Sequence, residues 1–279
     1  MTDDTGSVNP GATANGTGII AAFTVPHPPL IVPAVGRGHE AIVARTIASY
    51  DAVAQEIAAL NPDTIVISSP HAEFGMRGFM LHGGTHVTGD FGQFRAPGVR
   101  FSETIDTELR DLLAGDSRYG GLFIPFAGPV LDHGTMVPLW FIRKYLQEFT
   151  LLVTGYSDLD IRRYYEAGQS VRRATGELGR RAVYVASGDL SHKLREDGPY
   201  GFAPEGPEYD ARIMDVLGRA AFSELFDFDT GFRDRAAECG HLSFVMMAGA
   251  LDGYSVKPRV YSHEDATGVG YGICSFMRI

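Results

Sequence analysis

The sequence predicts an α/β fold, a single three-layer α/β/α sandwich around a mostly parallel or mixed sheet. Three observations carry that expectation. Apolar runs of strand length interleave with amphipathic stretches of helix length along the whole chain. The first two such runs are joined by one helical stretch, the pattern of a βαβ unit with a parallel pair of strands. No linker or internal repeat interrupts residues 18–279, so one domain is expected there.

Gly18-Ile-Ile-Ala-Ala-Phe-Thr-Val25 is apolar without alternation and stops at Pro26, which suits a strand buried on both faces. Over 39–60, Ile42, Val43, Ile47, Tyr50, Val53, Ile57 and Leu60 recur every three or four residues and predict a helix ending at Asn61-Pro62. Thr64-Ile-Val-Ile-Ser68 is the second strand, closed by Ser69-Pro70. The Gly-rich stretch 75–99 predicts hairpins or an excursion. A helix is expected over 102–113 with Ser102 as N-cap, then a strand over 122–126. A helix follows over 136–147, with Pro138 acceptable only in its first turn. Strands at 149–154 and 181–187 flank a helix over 161–178. Helices over 209–217 and 235–250 and a final strand at 269–277 complete the reading.

Composition narrows the function. With 44% hydrophobic and 21% charged residues, the chain can bury a large core. Its net charge of −10 repels polyanions, so neither nucleic acid nor an anionic membrane is an expected partner. The pairs Arg162/Arg163, Arg172/Arg173 and Arg180/Arg181 read as solvated helix faces. Two cysteines, Cys239 and Cys274, supply neither a disulfide framework nor a four-cysteine zinc site. Residues 1–17 are acidic and rich in Gly, Ser, Thr and Asn, without the basic-then-apolar order of a signal peptide. They read as a disordered tail, and the expected location is cytoplasmic. Homo-oligomerisation is left open.

The chemistry lies in the histidines. His27, His71, His133 and His192 each follow a strand, in Val25-Pro26-His27-Pro28-Pro29, Ser69-Pro70-His71, Asp132-His133-Gly134-Thr135 and Ser187-Gly188-Asp189-Leu190-Ser191-His192. One strand-terminal histidine is ordinarily a cap. Four of them can converge, because open α/β sheets bind ligands outside the carboxyl ends of their strands. Prolines around His27 and before His71 stiffen the backbone, which suits metal ligands. Two imidazoles invite a carboxylate, and Glu238 stands in an otherwise small and apolar stretch. His27, His71 and Glu238 would form the two-histidine, one-carboxylate set of non-haem Fe(II) sites. Taken alone, Glu238 is equally a carboxylate at a helix N-terminus, where the dipole favours it. His241, three residues on, and Asp189 are candidates to orient the ligands from behind. Tyr200, Phe202, Phe126 and Tyr261 are candidate aromatic walls. The glycines of 267–272 fail as a nucleotide loop because no helix follows them.

In their order, these motifs resemble the class III extradiol ring-cleaving dioxygenases of the protocatechuate 4,5-dioxygenase type, over roughly residues 18–279. The resemblance implies Fe(II), with Zn, Mn or Cu as alternatives, held by His27, His71 and Glu238. It implies His192 as acid/base, His133 as a polar group facing substrate, and a small aromatic substrate with O2. The same sequence resembles the related Memo family, in which a cysteine followed by glycine takes the third ligand position and ring cleavage is not an established activity. Glu238-Cys239-Gly240 carries both ligands side by side, which makes Cys239 the alternative. The dioxygenase expectation therefore has two rivals: a Memo-like metal-binding or redox protein that recognises a partner, and a metal-dependent hydrolase.

Overall fold

Strand β1 (Gly18–Val25) enters the middle of an eight-stranded mixed sheet, which orders its strands β6-β3-β7-β2-β8-β1-β10-β9 among the described residues. The remaining members are β2 (Thr64–Ser68), β3 (Phe79–His82), β6 (Phe123–Phe126), β7 (Thr150–Thr154), β8 (Arg181–Ser187), β9 (Val256–Glu264) and β10 (Tyr271–Arg278). The computed structural model describes residues 16–128 and 130–279, so the expected tail lies outside the described residues up to position 15.

At the sheet's centre β7, β2, β8 and β1 run parallel, while β10 pairs antiparallel with both β1 and β9. Alternation within β8 explains the layering. Ala182, Tyr184 and Ala186 face one hydrophobic core, and Val183 and Val185 face the other. The first core is covered by α3 (Thr107–Gly115), α5 (Ile161–Glu177), α6 (Glu205–Arg219) and α8 (His241–Ala250). The second is covered by the short α1 (Pro33–Gly36), α2 (Ala44–Leu60), α4 (His133–Ile142) and the hairpin of β4 (His86–Phe91) with β5 (Ala96–Thr104). Burial on both faces is why the central strands read as continuous apolar runs. The three-layer α/β/α expectation is met. No helix among the described residues is long and apolar enough to cross a membrane.

Five local departures from expectation follow. Ser102 lies within β5, and the following helix α3 is capped instead by Asp106, whose carboxylate accepts the Leu109 amide at 3.0 Å. Helix α4 starts three residues early, at His133, because Asp132 caps it and accepts from the Thr135 amide and hydroxyl; Pro138 therefore falls inside the helix. The helix expected over 235–250 is two helices, α7 (Thr230–Ala236) and α8, broken where Ala237 takes φ 53°. Strand β9 was not foreseen; its burial pattern is mixed, as befits a strand at the sheet's edge. Nor is Arg180 a solvated helix residue. It follows α5 and holds Asp106 at 2.9 Å.

Candidate metal centre

Three neighbouring parallel strands, β2, β8 and β1, end side by side, and the loops leaving them carry His71, Asp189 with His192, and His27. Adjacent strands lie about 4.8 Å apart, so side chains on these loops can meet. His27 Nε2 and His71 Nε2 are 3.1 Å apart, and Cys239 Sγ is 3.6 Å from His27 Nε2. The three ligand atoms all lie within 4.8 Å of one another. Asp189, His192 and Cys239 form a second such group, overlapping the first at the thiol.

These spacings fit one cation. Two imidazole nitrogens about 2.0–2.1 Å from a common ion lie roughly 2.9–3.4 Å apart for angles between square and tetrahedral. A nitrogen and a thiolate bound at about 2.3 Å lie roughly 3.5 Å apart at a tetrahedral angle. Two imidazoles and a thiolate form a donor set suited to zinc, iron or copper.

The imidazoles are prepared for this role. Burial pushes His27 well below the usual histidine range, helped by the neighbouring His71, His133 and His192 rings. Burial likewise lowers His71, against the pull of Asp132, and lowers His192. His133 falls to about 4, through burial and then His71. Neutral rings are what a metal ligand requires. Around them, Asp189 accepts the His27 amide at 2.7 Å, and the His192 Nδ1 lies 2.6 Å from the Ala237 carbonyl. Because a carbonyl only accepts, His192 carries its proton on Nδ1 and leaves Nε2 free. Burial raises Asp189 to about 7 and drives the Cys239 thiol well above its ordinary value, as do the Asp189 and Glu238 carboxylates near that thiol.

Glycine lets Cys239 reach the strand ends. A methyl group on Gly188 would sit 2.0 Å from the Gly240 Cα, so the turn after β8 and the turn before α8 touch backbone to backbone. The Cys239 and Gly240 amides both donate to the Asp189 carbonyl, at 3.3 and 3.0 Å. Tyr156 donates its hydroxyl to the Cys239 carbonyl at 2.6 Å.

Glu238 is placed differently from the expectation. It belongs to neither ligand group. Its carboxylate accepts the amide of His241, the first residue of α8, at 2.7 Å, and lies 3.5 Å from Arg233. The left-handed turn at Ala237 leads into Glu238 beside the start of α8, where the helix dipole favours a carboxylate. Nor does His241 stand behind the ligands. It is fully buried between the Tyr209 hydroxyl and the Leu225 carbonyl. His133 does join the cluster, its ring 4.1 Å from His71 and 5.5 Å from His27.

A cavity of about 440 Å³ opens over His27, His71, His133, Asp189 and His192. Tyr200 lines it as expected, whereas Tyr261 is turned away onto Glu56 and Phe126 borders the adjoining cleft beyond His71 and His133. Sequence reasoning missed Phe94, Thr267, Val269 and Tyr271 in the wall. The signal available for the last three was the Gly-spaced segment 267–272, dismissed as a nucleotide loop but serving as the approach to β10.

Residues 21–274 match the family model described as the catalytic LigB subunit of aromatic ring-opening dioxygenase. The chain is 37% identical over 263 residues to protein CA_C1420 of Clostridium acetobutylicum, covering 90% of this chain but 56% of that protein. It is 25% identical over 299 residues to the 2-aminophenol 1,6-dioxygenase beta subunit of a Pseudomonas species, covering 93% and 94% of the two chains. Among solved structures, the uncharacterised protein JW3007 of Escherichia coli K12 shares the fold with a TM-score of 0.57 at 14% identity, over 92% of this chain and 99% of that one. The chain spans little more than half the length of its Clostridium relative. With the family model covering nearly all of the described residues, this chain belongs to the family of the catalytic LigB subunit of aromatic ring-opening dioxygenases.

Proposed function

We propose that this chain holds one transition-metal ion on His27, His71 and Cys239 and uses it to oxidise a small aromatic substrate with O2. The supporting observation is the pair of spacings at His27 Nε2, 3.1 Å to His71 and 3.6 Å to Cys239, beneath a cavity lined by two further histidines. Iron(II) is the ion proposed, with Zn, Mn and Cu as alternatives. When bound, it would lower the pKa of a coordinated hydroxyl and supply the redox chemistry that the organic groups lack.

The chain's own residues account for the rest. His192 lines the cavity with its Nε2 unprotonated and 4.0 Å from Asp189 Oδ2, and is suited to accept a proton from a substrate hydroxyl and return it later. His133 faces the same space from the start of α4 and offers a second polar contact. Phe94, Tyr200 and Tyr271 give flat walls for a ring, and burial of that ring excludes water from the reacting atoms. Similarity to an aminophenol dioxygenase subunit makes 2-aminophenols and catechols the first substrates to try.

Cys239 favours a second reading. A thiolate in place of the expected carboxylate suits a softer ion, and a metal-binding or redox protein without ring cleavage would use this donor set equally well. Anaerobic reconstitution with ferrous ion, metal counting and oxygen uptake with catechol and 2-aminophenol separate the two. One ion per chain with oxygen consumption and a coloured ring-opened product supports the first. One ion without turnover supports the second. Loss of the ion in Glu238→Ala but not in Cys239→Ala would overturn the ligand set.

A further inference from the structure

The geometry points to Ser187 as the positioning residue that fixes which nitrogen of His27 faces the metal, through a carbonyl that Pro138 leaves without its helical partner. This inference rests on the ligand set proposed above. In an α-helix the carbonyl of residue 134 would accept from the amide of residue 138. Residue 138 is a proline inside α4 and has no N–H to give. The Gly134 carbonyl turns instead to β8, where the Ser187 hydroxyl, itself fully buried, lies 2.5 Å away. A methyl group on Gly134 would fall 2.3 Å from Ser69 Oγ and 3.4 Å from His27 Nδ1, so this turn of α4 packs directly against the imidazole.

A serine hydroxyl has one proton. A carbonyl can only accept, so that proton is committed to Gly134. The Ser187 oxygen still meets His27 Nδ1 at 2.9 Å. It must therefore accept, and the His27 proton sits on Nδ1. The opposite assignment would have Ser187 donate to His27 and deprive the Gly134 carbonyl of the donor that replaces the missing Pro138 amide. With Nδ1 protonated, His27 Nε2 carries a lone pair aimed at His71 and Cys239. In the metal-free protein, His71 can give its own Nε2 proton into that lone pair, which accounts for the 3.1 Å contact. The outer hydrogen bond thus selects the tautomer that can ligate, and His27 enters the site already turned.

Nitrogen-15 NMR of the metal-free protein reads the tautomer directly, independently of any ion. Wild type is expected to show His27 as the Nδ1–H form. Ser187→Ala is expected to show a mixture and to bind ferrous or zinc ion about 10- to 100-fold more weakly. Ser187→Thr keeps the oxygen and is expected to restore both. A wild-type spectrum with His27 protonated on Nε2 overturns the inference, whatever the variants do. So does a folded Ser187→Ala protein with unchanged tautomer and unchanged affinity. A wild-type protein that shows the Nδ1–H form but takes up no metal would instead sink the proposed ligand set and leave the tautomer assignment standing.

Discussion

Placing alanine at Gly188 should displace the Cys239 thiol without touching any ligand. The new methyl carbon would lie 2.0 Å from Gly240 Cα and 3.0 Å from its nitrogen. Non-bonded carbons rest at about 3.5–4.0 Å, so roughly 1.5 Å of separation must be found between two backbones. The Gly188 side is held, since its amide donates to the Val25 carbonyl at 2.9 Å on the strand that carries His27. The Cys239–Gly240 turn is tied to the Asp189 carbonyl and to Tyr156, so both sides are strained and the thiol shifts with its turn. A metal–ligand distance tolerates about 0.2 Å, several times less than the displacement required. Metal affinity should fall about 100-fold or more, while the metal-free protein loses about 1–3 kcal/mol, as expected of overpacking. Competitive titration against a chelator measures the first and urea denaturation the second. Gly240→Ala should strain the same contact less severely, its methyl group lying 3.0 Å from the Gly188 backbone and 2.7 Å from the buried Phe244 ring. A Gly188→Ala protein that folds and binds metal within twofold of wild type would refute this account of how the thiol reaches the site.

Other consequences are equally accessible. Glu238→Ala removes the acceptor of the His241 amide and the carboxylate beside Arg233, whose side chain is 10% exposed; a loss of about 2–4 kcal/mol in urea denaturation is expected, with metal stoichiometry unchanged. His192→Ala should keep its metal and lower turnover by about 10²- to 10⁴-fold in oxygen uptake, provided the wild type turns over. At Asp106, burial raises the carboxyl, but the Arg180 guanidinium, Thr64 hydroxyl and Leu109 amide outweigh it and hold the group below its usual range. A depressed folded pKa contributes stability above the unfolded value near 3.9 and loses it as pH falls through the folded value. Asp106→Asn should therefore cost about 1–3 kcal/mol at neutral pH and flatten the acid limb of a urea-midpoint profile below about pH 4.

The sequence made the layers legible because burial on both faces of a parallel sheet writes itself as unbroken apolar runs, as in β1, β2 and β8. The convergence of His27, His71 and His192 was legible for a related reason: each follows one of three neighbouring strands, β1, β2 and β8, whereas His133 reaches the cluster on the first turn of α4, well past the edge strand β6. The separate placement of Glu238 and Cys239 was not, because it turns on one residue. Ala237 adopts a left-handed φ that no local preference announces, and that turn separates α7 from α8. Cap residues were misjudged similarly. Ser102 and Asp106 both suit an N-cap, and only the pairing of β5 with β4 removes Ser102 from contention. The wall formed by Thr267, Val269 and Tyr271 depends on the return of β10 beside β1, a contact across the length of the chain.

His27 and His71 are 44 positions apart and His27 and Cys239 are 212 apart, so any ion they share would stitch the first strand of the sheet to the segment entering the last helix. No fragment of the polypeptide would own that ion. Opening either the β1 loop or the α8 entrance would surrender it, and saturating metal at about a thousand times its dissociation constant would make such opening rarer by roughly the same factor, worth about 4 kcal/mol. Resistance to proteolysis at these two distant points should therefore rise and fall together with metal supply.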